Sequence, residues 1–183
     1  RAAWLATLTR FFRAVLRQRP GRLVVKSPLH TFRVRLLLER FPRARFVYII
    51  RNPYEVFAST MTLWRRLLRD QALQRPRYAG LEEQVLATFE AMEAHLAADR
   101  AVVPPGQFCE TRYEDLRMDP VAEMRRIYAT LQLGEAAPAL AAVAAALPRL
   151  HAHQPARHLL SSAQRDAVTR RWHVRCAQYG YRT

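Results

Sequence analysis

Residues 22–52, RLVVKSPLHTFRVRLLLERFPRARFVYIIRN, decide the fold class. RLVVK is too apolar for an edge and reads as a short central strand, separated from what precedes it by Pro20-Gly21. FRVRLLLERF follows Pro28 and Thr31 and puts Val34, Leu37, Leu38 and Phe41 on one helical face. FPRAR turns the chain, and ARFVYII, built of β-branched and aromatic residues, reads as a second buried strand. Strand, helix, strand in that span is a βαβ unit, which predicts parallel strands and a right-handed crossover. The expected class is α/β, a parallel sheet flanked by helices.

Working outward, Trp4, Leu5, Leu8, Phe11, Phe12, Val15 and Leu16 recur at helical spacing, so the chain opens on a helix already under way. It begins with Arg1 rather than Met, and we expect a fragment of a longer polypeptide, folded as a single domain over residues 1–183. A further helix starts at Asn52-Pro53, with Asn52 as N-cap, Pro53 at the first helical position and Glu55 closing a capping box. QRPRYAG leads to a helix over about residues 81 to 99, GQFCETRYEDL to a third strand running into a polar tip, and Pro120 opens a helix to about Leu131 that Gly134 ends. Residues 135 to 147 are Ala-rich and helix-prone, LPRLHAHQPARH is a loop, and Ser161 or Ser162 caps a last helix ending at Gly180.

The formal net charge of +15 calls for an anionic partner: nucleic acid, an acidic membrane surface or a phosphorylated cofactor. Charge does not choose among them. No stretch reaches the roughly 20 apolar residues of a membrane span. Cys109 and Cys176 lie far apart, lack metal-ligand spacing and fit a reducing, cytoplasmic setting. No metal site is expected, and the histidines of HAHQPARH lack a neighbouring carboxylate or cysteine.

Of thirty basic residues only Lys26 is a lysine, and it stands at the end of RLVVK. Either it is a residual surface lysine or the position needs a compact ammonium rather than a planar guanidinium. In open parallel sheets ligands gather at the carboxyl ends of the strands. There this chain carries Lys26-Ser27, Arg51-Asn52 and Tyr113-Glu114-Asp115, which should face one crevice. Arg51 precedes a capped helix start and Ser59 lies eight residues on, so fork, hydroxyl and helix N-terminus form a candidate phosphate site. The competing assignment pairs Arg51 with Glu55 or Asp115 and packs Ser59 against the sheet.

KSPLH, then FPRARFVYIIRNPYEVFAST, then RYEDL and DPVAEMRRIYATLQLG, in that order, resemble the sulfotransferases that use 3′-phosphoadenosine 5′-phosphosulfate (PAPS), particularly the bacterial branch. The resemblance implies a P-loop-NTPase-like fold and transfer of a sulfuryl group to a hydroxyl or amine. It implies that Arg51 and Ser59 hold the 3′-phosphate of PAPS or of its product adenosine 3′,5′-bisphosphate (PAP), and that Tyr113 lies against the adenine or is a core aromatic. It implies that Lys26 offsets charge growing at the transferring group. The base is open: His30, four residues after Lys26, either deprotonates the acceptor or caps the following helix. Glu114 and Asp115 are expected to cap the next turn.

One element of the family is absent. Its first strand and the Ser/Gly/Thr-rich loop that grips the 5′-phosphosulfate have no counterpart, since the five glycines are scattered and the one lysine is assigned. The expectation is a chain that does not transfer sulfate alone. The acceptor is unidentified, and the apolar helices over about residues 60 to 100 point to a lipid-like or hydrophobic alcohol. Trp64, Arg65, Arg66 and Arg69 read as a packed and solvated helix. The rival reading, a nonspecific nucleic-acid or polyanion-binding α/β module, is disfavoured because the aromatics sit in apolar patterns rather than interleaved with Arg.

Overall fold

In the computed structural model, which describes residues 2–152 and 158–181, β1 (Phe46–Ile50) pairs in parallel with β2 (Phe108–Arg112), Phe46 opposite Phe108 and Ile50 opposite Arg112. Between them run α3 (Pro53–Gln71) and α4 (Leu81–Arg100). α1 (Ala2–Gln18), a 3-10 turn over Pro28–Arg33 and α2 (Val34–Arg40) precede the sheet. After it come α5 (Tyr113–Met118), α6 (Pro120–Thr130), α7 (Ala137–Ala152) and α8 (Ser162–Gln178). The class is α/β with a parallel sheet and flanking helices, and the crossover that closes the parallel pair is α3 with α4.

One predicted strand does not form. RLVVK is irregular and pairs with no strand among the described residues, with Val24 87% and Val25 44% exposed rather than buried. A strand is a hydrogen-bonded pairing rather than a property of its own residues. β1 gives one edge to β2, and its other edge opens on a cleft whose opposite wall is Leu23 to Lys26. Arg22 holds the Leu133 carbonyl (2.6 Å) near where Arg45 holds that of Leu131 (3.0 Å), so the segment starts at the end of the sheet where β1 starts.

Side-chain alternation sorts the sheet's faces. Ile50 joins Tyr54, Phe57 and Met61 of α3, Leu81, Val85 and Leu86 of α4, and Val168, Trp172 and Cys176 of α8 in the main core. Trp172 stacks on Phe89 at 4.0 Å, meets Phe57 edge-on at 5.9 Å, and donates its indole N–H to the Leu86 carbonyl. On the other face Cys109 packs with Ile127 and Leu131, while Val47 and Ile49 remain about half exposed.

The caps follow the sequence with two corrections. Asn52 accepts from the Tyr54 N–H, Asp119 from that of Ala122, and Ser161 forms a full capping box with Gln164. Glu55 closes no box: the Asn52 N–H goes to Glu114 (3.0 Å), and Glu55 takes Arg51 instead. α6 ends beside the expected Leu131, but Gln132 takes the left-handed position first (φ 51°), Gly134 following it there (φ 87°), and the Leu133 N–H returns to the Tyr128 carbonyl.

Candidate active site

Lys26, His30 and Arg51 line a single cleft of about 1090 Å³ between residues 23–31, α2 and the free edge of β1. Its wall carries Lys26 and six arginines, Arg13, Arg40, Arg43, Arg45, Arg51 and Arg175, and no Asp or Glu among the described residues. Low-dielectric walls lined by one sign of charge focus the field on an anion. Apolar wall is supplied by Val47, Ile49, Val56, Phe89 and Met92.

Arg51 leaves the end of β1 and gives Nε and Nη2 to Glu55 at 3.0 and 2.8 Å, while its guanidinium lies 4.6 Å over the Tyr113 ring. Tyr113 therefore touches Arg51 at the carboxyl ends of the strands, but Tyr113, Glu114 and Asp115 do not line the cleft, against the expectation that all three strand ends face one crevice. The pair with Glu55, one of the two assignments left open by sequence, is the one present. Glu55 is 56% exposed, so this pair is worth at most about 1 kcal/mol and yields readily to a dianion. Ser59 sits half-buried two turns into α3 and does not line the cleft.

His30 falls within the 3-10 turn, its Nδ1 buried and without a hydrogen-bond partner among the described residues. Burial first, and then the charge of Arg33, hold its imidazole below the usual range, so it is neutral at neutral pH. Lys26 is exposed at the cleft wall. Glu114 does not cap the next turn: it accepts from the Asn52 N–H and from the Tyr181 hydroxyl (2.8 Å), tying both strand ends to the segment after α8. Burial and Glu114 push the Tyr181 hydroxyl up to about 12.

Sequence reasoning missed a second charged cluster. Arg171 binds Glu83 and Glu90, and Arg175 binds Glu93 at 2.9 Å while covering the rings of Tyr48 and Tyr179. The Tyr48 hydroxyl donates to Glu93. The legible signal was spacing: Glu83, Glu90 and Glu93 share a face of α4, and Arg171 and Arg175 are four apart on α8. Of the loop expected over LPRLHAHQPARH, residues up to Ala152 instead continue α7, residues 153–157 lie outside the described residues, and His158 meets the Thr62 hydroxyl at 3.1 Å. Among the described residues no group of His, Cys, Asp and Glu is arranged to hold a metal, and no helix is long and apolar enough to cross a membrane.

A sequence model of the sulfotransferase family matches residues 2–136. The chain belongs to the sulfotransferase family. It is 37% identical, over 97% of its length and 46% of theirs, to the omega-hydroxy-beta-dihydromenaquinone-9 sulfotransferases Stf3 of Mycobacterium bovis and Mycobacterium tuberculosis. It thus spans about half the length of these curated sulfotransferases. The crystal structure of sulfotransferase STF9 from Mycobacterium avium superposes with a TM-score of 0.71 at 21% identity, covering 92% of this chain and 44% of that one, and shares its fold.

Proposed function

We propose that the chain is part of a PAPS-dependent sulfotransferase, forming the 3′-nucleotide side of the donor site as one domain, in a reducing, cytoplasmic setting. The observation that carries this reading is the cleft lined by Lys26, Arg51 and five further arginines without a carboxylate, at the end of the sheet where Tyr113 meets Arg51. The donor set fits a polyanionic nucleotide: a guanidinium fork binds a phosphate through two N–H groups, and an ammonium answers a more diffuse charge. PAPS, when bound, supplies the sulfuryl group.

Arg51 holds the 3′-phosphate after releasing Glu55, and Tyr113 offers its ring to the adenine. Lys26 neutralises charge at the transferring end. His30, neutral and lining the cleft, takes the proton from an acceptor hydroxyl. The curated relatives are named for a hydroxylated quinone, and Val47, Ile49, Phe89 and Met92 suit an apolar acceptor here. The grip on the 5′-phosphosulfate comes from outside these residues, from a strand that pairs with the free edge of β1, so the 183 residues alone do not turn over.

The test is calorimetric titration of PAP into the full-length protein and its Arg51→Ala variant. Loss of a charge-assisted bidentate contact costs about 2 kcal/mol, roughly thirtyfold in Kd. Equal affinities would sink the assignment.

A further inference from the structure

α3 loses its cover after Met61. Met61 is buried, but from Thr62 to Gly80 no described residue is, and Leu63 is 54%, Trp64 44% and Leu73 fully exposed. Trp64, expected from sequence to pack, is instead partly open to solvent. At about 3.6 residues per turn, Leu63, Leu67, Trp64 and Leu68 fall within an arc of about 140°. Arg65, Arg66 and Arg69 occupy the rest of the circumference, and Arg75 and Arg77 follow in the connection to α4. Asp70, the single acidic residue between 62 and 80, is shared by Arg66 and Arg69.

We propose that this end of α3 docks the protein on an anionic lipid bilayer, Leu63, Trp64, Leu68 and Leu73 entering at headgroup level and the arginines resting among the phosphates. An exposed apolar arc beside a cationic one is the pattern of a helix lying in a membrane interface. The charge complements an acidic leaflet, and Trp at the boundary suits an amphipathic indole. A nucleic acid would use the arginines but gain nothing from three exposed leucines. Val56, which lines the cleft, is seven residues before Leu63, about 10 Å along the same helix face. The bilayer contact and the cleft wall therefore lie on one side of α3, with Ser59 and Thr60 between them. Docking goes beyond the sulfotransferase reading and is measured without turnover, so either can fail alone.

The experiment is sedimentation of the full-length protein with phosphatidylcholine vesicles, with and without phosphatidylglycerol, together with Trp64 emission. We expect binding that needs the anionic lipid, weakens with salt and shifts the emission to the blue, the shift being lost in Trp64→Phe. Leu63→Ser with Leu68→Ser weakens it roughly tenfold or more. Arg65→Gln with Arg69→Gln weakens it by about fivefold per arginine. Far- and near-ultraviolet circular dichroism checks that both double variants stay folded. Absence of binding, equal binding to neutral vesicles, or an unaffected serine variant would overturn the proposal. So would duplex DNA binding that both double variants weaken alike.

Discussion

Replacing Arg175 by Met should destabilise the protein in a way that depends on pH. The Arg175 side chain is 10% exposed and places Nη1 2.9 Å from Glu93, whose side chain is 20% exposed. Removing one partner of a buried pair leaves the other uncompensated, typically costing 3–5 kcal/mol; the residual access of Glu93 to water sets the expectation at about 3 kcal/mol. For a chain of this length that lowers Tm by about 6–12 °C at neutral pH. Burial already holds the Glu93 carboxyl above the usual range, against the opposing pull of Tyr48 and Arg175. Without Arg175 it rises further. A carboxyl raised on folding favours the folded state at pH values below its unfolded pKa and loses that contribution as pH climbs through the folded one. The gap between Arg175→Met and the parent should therefore be widest near pH 7 and shrink as pH falls through the carboxylate range. Adding Glu93→Gln should recover most of the loss at pH 7. Urea unfolding of the full-length parent, single and double variants at several pH values reads all of this. A single-variant cost below about 1 kcal/mol at pH 7, or one independent of pH, refutes the reasoning.

Because burial and Arg33 lower the His30 imidazole, the acid limb of kcat/KM for sulfuryl transfer should lie below the ordinary histidine range. His30→Gln should remove that limb and cut kcat about 100-fold; a retained limb assigns the base elsewhere. Ser161→Ala breaks the capping box of α8 and should cost about 1 kcal/mol in chemical unfolding. Gln132→Gly should stabilise by about 0.5 kcal/mol, since an exposed Gln there bears a left-handed backbone that Gly adopts freely, and thermal unfolding checks the sign.

What sequence disclosed was what short-range chemistry controls. Asn52-Pro53, Asp119-Pro120 and Ser161 with Gln164 each carry a cap within four residues, and the helices they open begin where expected. FVYII and FCETR became strands because each found the other. RLVVK has similar propensity and no strand beside it among the described residues. Glu55 misled because Arg51 was a local rival for its carboxylate, and Gln132 takes a left-handed backbone two residues before Gly134 does. In the site, Lys26, His30 and Arg51 share one cleft and Tyr113 touches Arg51, because strand ends and helix starts are fixed by alternation and caps. Ser59 stays off the cleft wall, and the cluster of Arg171 and Arg175 against α4 is tertiary, visible in sequence only as two matching charge spacings.

Glu114 sets an order of assembly. Its carboxylate takes one donor from residue 52 and another from residue 181, separations of 62 and 67 residues. A chain emerging from the ribosome makes β1, α3 and β2 well before Tyr181 exists, and domains take shape as their parts become available. Until Tyr181 arrives, the carboxylate has one of its two donors, and the junction of the two strand ends with the segment after α8 is only half tied.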